Sequence, residues 1–367
     1  MLLRHIAVGL TSASTALVVL TTATPAHAFP NMIRLGYPTC ASCHVSPQGG
    51  GVLNRYGRGI DYAQTLRPTE PPDAEKPSDA LARLLYDVRV QTGVDQQPSS
   101  TAEYSFNTSF RTAIAMNAQN QFVYAFGVRS PTLSTTRRMG AASIGMSRAY
   151  WMFQPKDGVA LVVGRDELPT GLGLPGATSF YRSVNDPNVS STPTQAKLFW
   201  WNKRMQVATY VFGPDGNETL PEFRARGVGA LVGANVWKDR AVVGVTTRAS
   251  RADAFERTNA GLFMRLGLTE HFGVLAEHDV TERALSAGQK FTYLAGHAEV
   301  FFIPVNWLQP TVGVEHVTTV GGASTVRVTP SVDVRLTPNF RLSFSTRNVY
   351  AATDSRTYSV LLQVKAQ

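Results

Sequence analysis

From Leu81 to the C-terminus, apolar and polar residues alternate over short segments separated by turn residues. Leu84, Tyr86, Val88 and Val90 alternate with Leu85, Asp87, Arg89 and Gln91. Tyr104, Phe106, Phe110 and Ile114 alternate with Glu103, Ser105, Asn107, Ser109 and Arg111. The same holds for Val326, Val328, Val332, Val334 and Leu336, and for the last segment, Tyr358, Val360, Leu362 and Val364. A period of two places each set on one face of a strand, whereas helical periodicity is absent after Ala80. About sixteen such segments occur, mostly near the 9–11 residues of a tilted membrane-crossing strand. A soluble β-sandwich would have to expose the charges of every strand, among them Arg111, Arg129, Arg265, Arg327 and Arg335. Aromatics near strand ends (Tyr150, Trp151, Phe199, Trp200, Trp201, Tyr210, Phe301, Phe302, Trp307) read as girdles at membrane interfaces. Turns are short at Asn202-Lys203 and Thr337-Pro338-Asn339 and longer elsewhere. The expected fold class is all-β: a transmembrane antiparallel β-barrel of about sixteen strands, in the bacterial outer membrane.

The N-terminus supplies the compartment. Arg4 and His5 precede an apolar stretch, Ile6 to Leu20, and Ala26-His27-Ala28 has the small-x-small form of a signal-peptidase site. Residues 1–28 are therefore expected to be a cleaved signal peptide, and the stretch is too short and too broken by Thr11, Ser12 and Ser14 to span a membrane. Residues 29–80 form a distinct region ending in a proline- and acid-rich linker from Pro68 to Ser78, and 81–367 form the barrel.

Residues 29–80 contain Cys40-Ala41-Ser42-Cys43-His44, the C-x-x-C-H pattern of covalent haem c attachment. Two thiols three positions apart can each add to one porphyrin vinyl group, and the adjacent imidazole then reaches the iron. A short disulfide, or half of a metal site with a remote His, are competing uses of the pair. These are the chain's 2 cysteines, so no four-cysteine zinc site can be assembled. The expected cofactor is one haem c, on Cys40 and Cys43, with His44 axial.

The sixth ligand is open. After His44 no Met occurs until Met116 and no His until His271, so a small cytochrome with its own downstream ligand is excluded. Met32 just upstream is one candidate. Among barrel residues, strand parity turns Met264 and His316 outward and leaves Met116 near a turn, whereas His297 faces the lumen; His297 is the second candidate. About fifty residues rarely bury enough surface alone, and they offer one short helix at most, around Leu53 to Gln64. The segment is therefore expected to fold into the barrel as a haem-bearing plug.

This layout resembles the fused outer-membrane cytochrome–porins, which include monohaem iron oxidases. Gly36-Tyr37-Pro38-Thr39-Cys40-Ala41-Ser42-Cys43-His44-Val45-Ser46-Pro47, then Gly49-Gly50-Gly51 and Tyr56-Gly57-Arg58, looks like their N-terminal signature. Gly164-Arg165 through Leu168-Pro169-Thr170-Gly171-Leu172-Gly173-Leu174-Pro175 to Phe180-Tyr181-Arg182 looks like a loop of their barrels. The resemblance implies an outer-membrane electron carrier between an extracellular donor, ferrous iron being one candidate, and a soluble periplasmic cytochrome. Only Cys40, Cys43 and His44 carry over as site residues.

Other features admit two uses each. Glu277, Glu299 and Glu315 lie on three successive strands and would either gather oxygen ligands or neutralise lumenal arginines. The connection from Arg165 to Thr194 is either a functional loop folded into the lumen or a constriction loop. The formal net charge of +9 fits an alternative, an anion-permeable porin plugged or gated by the haem-bearing segment. Outer-membrane lipid is an expected partner and nucleic acid is not.

Overall fold

The computed structural model describes residues 30–68, 84–96, 103–129, 132–134, 138–139, 143–169, 171–172, 192–214, 224–351 and 354–366. The signal peptide, most of the linker and residues 173–191 of the long connection lie outside them.

Among the described residues, eighteen strands form one sheet. Two are short, Thr132–Ser134 and Arg138–Met139, and make a hairpin within one connection. The other sixteen build the barrel: β1 (Leu84–Gln96), β2 (Glu103–Ala115), β3 (Asn120–Arg129), β4 (Ser143–Lys156), β5 (Val159–Arg165), β6 (Thr194–Trp201), β7 (Met205–Phe212) and β8 (Arg226–Trp237). They continue as β9 (Ala241–Arg251), β10 (Phe255–Gly267), β11 (Phe272–Leu285), β12 (Lys290–Phe302), β13 (Leu308–Thr319), β14 (Ser324–Thr337), β15 (Phe340–Tyr350) and β16 (Ser355–Ala366). Each pairs antiparallel with the next, and β1 pairs with β16 in register from Val88↔Ala366 to Gln96↔Tyr358, closing the sheet and leaving no edge. The expected sixteen-stranded barrel is present. Short turns, such as Asn202–Arg204, Lys238–Arg240 and Pro338–Asn339, join the strands at one end, and the longer connections lie at the other.

Alternation decides which way each side chain points. Along β10, Phe255, Arg257, Asn259, Phe263 and Arg265 are buried, whereas Leu262 is 66% exposed. Arginines face in and leucines face out, the inverse of a soluble barrel and the arrangement of one whose outer wall meets hydrocarbon. Exposed aromatics mark both rims: Tyr86, Trp151, Trp200, Trp237 and Phe302 at the short-turn end, Tyr104, Phe106, Tyr350 and Tyr358 at the other.

Five aromatics expected in the girdles are not there; Trp201, half-buried, shares the inward face of Phe199 and packs against the interior cluster. Tyr150, Phe199, Tyr210 and Phe301 are buried and point inward. Adjacent residues on a strand cannot share a face, so Trp151, Trp200 and Phe302 face out while their neighbours Tyr150, Phe199 and Phe301 face in. Those three meet Ile33, Val52 and Leu172 in one apolar cluster inside the barrel.

Ile33 and Val52 belong to the N-terminal segment, which packs on the inner wall at the short-turn end. It contains 3₁₀ turns at Pro30–Leu35 and Cys40–Ser42 and one helix, α1 (Arg55–Ala63), within the expected Leu53–Gln64 stretch. Hydrogen bonds to barrel residues tie it down. Asn31 Nδ2 donates to Gln309 Oε1 at 2.8 Å, Arg58 to the Tyr86 carbonyl at 2.9 Å, and Leu66 N–H to the Arg335 carbonyl at 2.9 Å. Gly267 makes room for it, since a Cβ there would lie 2.4 Å from Arg34 Cα.

Candidate functional site

The C-x-x-C-H stretch is held by local backbone bonds. The 3₁₀ turn brings Cys43 N–H and His44 N–H onto the Cys40 carbonyl at 3.2 and 3.0 Å. His44 then forms an isolated antiparallel bridge with Leu53, folding residues 45–52 back on themselves. Asn54 supports the turn from below: its N–H donates to the Cys43 carbonyl at 3.0 Å, and its Nδ2 to the Ser42 carbonyl at 3.2 Å. Its Oδ1 accepts from Gly57 N–H at 2.8 Å, capping α1. One asparagine thus couples the cysteine turn to the helix.

Glycines admit the close packing. A Cβ at Gly57 would lie 2.1 Å from the Cys43 carbonyl oxygen. Gly49 has φ +84°, and a Cβ there would meet Cys40 Sγ at 3.0 Å. Gly51 has φ +67° and faces the Arg148 guanidinium.

Cys40 and Cys43 are not joined in a disulfide. His44 is 6% exposed, and its Nδ1 is buried without a hydrogen-bond partner. Burial, with the nearby Arg148, Arg89 and Arg111 adding to it, pushes the imidazole down to about 4, although a backbone bond with Gly50 opposes the shift. His44 is therefore neutral at pH 7, the form in which imidazole ligates a metal. Burial, then proximity to Cys40, lifts the Cys43 thiol to about 11.

Cys43 and His44 open onto a cleft at the short-turn end. Met32, Leu53, Gly57 and Ile60 line its segment side; the barrel side is the β14–β15 turn with Arg89, Arg335, Arg341 and Lys365. Asp61 accepts a charge-assisted bond from Lys365 and lies 3.9 Å from Arg335. Burial would raise the Asp61 carboxyl, but Lys365 and Arg335 outweigh it and hold the group below the usual carboxylate range. Of the donors a haem c would use, the His44 imidazole, the Cys43 thiol and the Met32 thioether line this cleft; of its cations, Arg89 is paired with Asp87 and Arg341 with Asp333. Cys40 does not line this cleft; its Sγ lies 3.8 Å from Arg265 Nη1.

The structure separates the two candidate sixth ligands. Met32 lines the cleft, where its Sδ accepts from Gln64 Nε2 at 3.4 Å. His297 faces the lumen as parity requires but is not among the cleft residues; its ring nitrogens lie 3.7 and 3.8 Å from Glu299 and Glu315. Glu299 and Glu315 thus flank one imidazole, and Glu277 stands apart from them. Glu277 accepts the N–H groups of Gly171 and Leu172, at 3.2 and 3.0 Å, and Glu315 pairs with Arg327. Among the described residues no group of three or more His, Cys, Asp or Glu is placed to hold a metal ion.

A second cluster escaped sequence reading. Asp166, at the start of the long connection, is buried between Lys197 Nζ at 2.5 Å and Arg148 Nε at 3.4 Å. Lys197 also donates to Gln48 Oε1 at 2.9 Å, and Arg148 pairs with Glu167 at 2.9 Å. Gln48 belongs to the N-terminal segment, so this network joins the segment, two strands and the infolded connection. The one available signal was parity, which turns Arg148 and Lys197 inward.

No family model matches the chain, and no curated protein matches it. Solved structures match its fold. An anion-selective porin from Comamonas acidovorans superimposes with TM-score 0.62 at 8% identity, covering 77% of this chain and 99% of its own. OmpT of Vibrio cholerae lacking loop L8 gives 0.58 at 10% identity with the same coverage. The outer-membrane channel DcaP of Acinetobacter baumannii gives 0.57 at 8% identity, covering 77% and 97%. The chain thus has the barrel fold of outer-membrane porins.

Proposed function

We propose that this chain is an outer-membrane barrel whose N-terminal segment carries one haem c. Cys40 and Cys43 would hold it covalently and His44 would ligate it, with Met32 the favoured sixth ligand. The function is passage of electrons between an extracellular donor, ferrous iron being one candidate, and a soluble periplasmic cytochrome. One observation carries this reading: Cys43, His44 and Met32 lie inside the barrel on one cleft, with the His44 Nδ1 buried and unbonded. The haem would supply one-electron exchange. The chain's own residues do the rest: Asn54 and Gly57 set the turn, the barrel wall covers it, and Arg335 and Lys365, both held by Asp61, put positive charge on the cleft. Short turns mark the periplasmic end of such barrels, so the cleft faces the periplasm.

Haem staining of a denatured gel tests attachment; signal is expected in the parent and lost in Cys40→Ala/Cys43→Ala. In liposomes loaded with a cytochrome acceptor, ferrous iron or dithionite added outside should reduce the acceptor. Cys43→Ala should abolish this.

A second reading has its own support. The barrel resembles porins, one of them anion-selective, and arginines such as Arg257, Arg265 and Arg283 line its interior. An anion-permeable pore, plugged or gated by the segment, would pass solute in the same liposomes without reducing the acceptor, and that outcome would sink the electron-transfer reading.

A further inference from the structure

We propose that the short-turn mouth of the barrel is a docking surface for an acidic electron-carrier protein. The proposal rests on the haem reading above and names the partner by charge and the face it meets. The outer side of the N-terminal segment lies level with this rim: a Cβ on Gly36 would lie 3.9 Å from Asp239 Cβ in the β8–β9 turn, and Leu66 and Arg67 bond to the end of β14. Leu35, Tyr56 and Leu66 are large apolar side chains exposed there, although they belong to a segment otherwise packed in the barrel.

Charge surrounds them. Among the described residues, the exposed cations of this rim are Arg55, Arg67, Lys156, Lys203, Arg204 and Lys238, against Asp157, Asp239 and Glu270. The long-loop rim is nearly balanced, with Arg224, Arg226, Arg251, Lys290 and Arg356 against Asp253, Glu256, Glu282 and Asp354. Among the described residues the excess of positive charge is therefore at the end where the cleft opens. An apolar centre inside a charged ring is the anatomy of a transient protein interface, in which the ring steers encounter and the centre holds the complex. Electron carriers bind through such small faces because they must also leave.

The test uses the full haem-loaded chain in phosphatidylcholine nanodiscs. The probes are cytochrome c in its native basic form and after succinylation, which turns its lysines into carboxylates. Succinylated probe should bind, with affinity falling steeply between low and physiological salt, while native probe should not. Arg67→Glu/Lys203→Glu/Arg204→Glu/Lys238→Glu should weaken binding at least about tenfold and shift preference to the basic probe. Cys40→Ala/Cys43→Ala should keep binding but lose electron transfer, so failure of the haem reading and failure of docking give different results. Equal binding of both probes overturns the proposal. So does unchanged binding in the quadruple variant, once retained heat-modifiable migration shows that its barrel is folded. The chain also carries its own acids next to this segment, Glu70, Asp73, Glu75 and Asp79. If the parent binds neither probe and neutralising those four creates binding, the occupant is this stretch and an external partner is overturned.

Discussion

Gly57 shows how one position can be decided by a neighbour rather than by its own helix. Alanine would gain about 1 kcal/mol of helix propensity in α1. Its Cβ, however, would lie 2.1 Å from the Cys43 carbonyl oxygen, which the Asn54 N–H holds in place. Backbone cannot yield as a side-chain tip can, so the clash wins. Gly57→Ala should lower stability by roughly 1–3 kcal/mol and reduce haem incorporation, measured by thermal melting and haem-to-protein ratio. Asn54→Ala removes the cap and the bond to the Ser42 carbonyl, and should cost about 1 kcal/mol by the same melts. Met32 makes a sharper case. A thioether ligand raises the potential of a His-ligated haem relative to a second imidazole, so Met32→His should lower the midpoint in a redox titration while His297→Ala leaves it unchanged. The C-x-x-C-H spacing was legible because it lies within five residues. The choice between Met32 and His297 was not, since both satisfied every local rule and only the folded position of the cleft separates them.

At the scale of elements, strands are what alternation specifies best. Each segment's two faces could be sorted from the chain alone, and the inward glutamates, arginines and His297 follow that parity. Parity also held the correction to the girdle: Phe301 and Phe302 are neighbours, so one had to face inward. What alternation does not encode is why the inner face tolerates Tyr150, Phe199 and Phe301, namely the apolar residues Ile33, Val52 and Leu172 packed against them. The network around Asp166 is equally non-local, since it joins Gln48, Arg148 and Lys197. Removing one member of a buried ion cluster leaves the others uncompensated, at a cost of about 3–5 kcal/mol. Asp166→Asn should therefore loosen the segment and the infolded connection together. Limited proteolysis of the protein in nanodiscs should then cut both faster, with the strands protected.

For the whole molecule, the segment is packed against the inner wall from the short-turn side, and removing it tests whether it plugs the lumen. Deleting residues 30–68 should leave a folded barrel with markedly larger single-channel conductance in planar bilayers; unchanged conductance would mean that other parts seal the lumen. Acid should act at the Asp61 contact with Lys365 and Arg335. The folded carboxyl titrates below its unfolded value, so its contribution is complete at neutral pH and is lost as pH falls through the lowered folded value. Segment release, followed by protease access, should thus appear only in strongly acidic buffer, and Asp61→Asn should show it at pH 7. Periodicity and spacing by themselves determined the barrel, its approximate strand number, the inward charged residues and the cysteine–histidine spacing, because those properties are set by residues a few positions apart. Only the tertiary structure decided which end holds the segment, that Met32 and not His297 shares its cleft, and how the interior charges pair. Those contacts join residues as far apart as Asp61 and Lys365, and no local pattern records which distant strand closes over a given side chain.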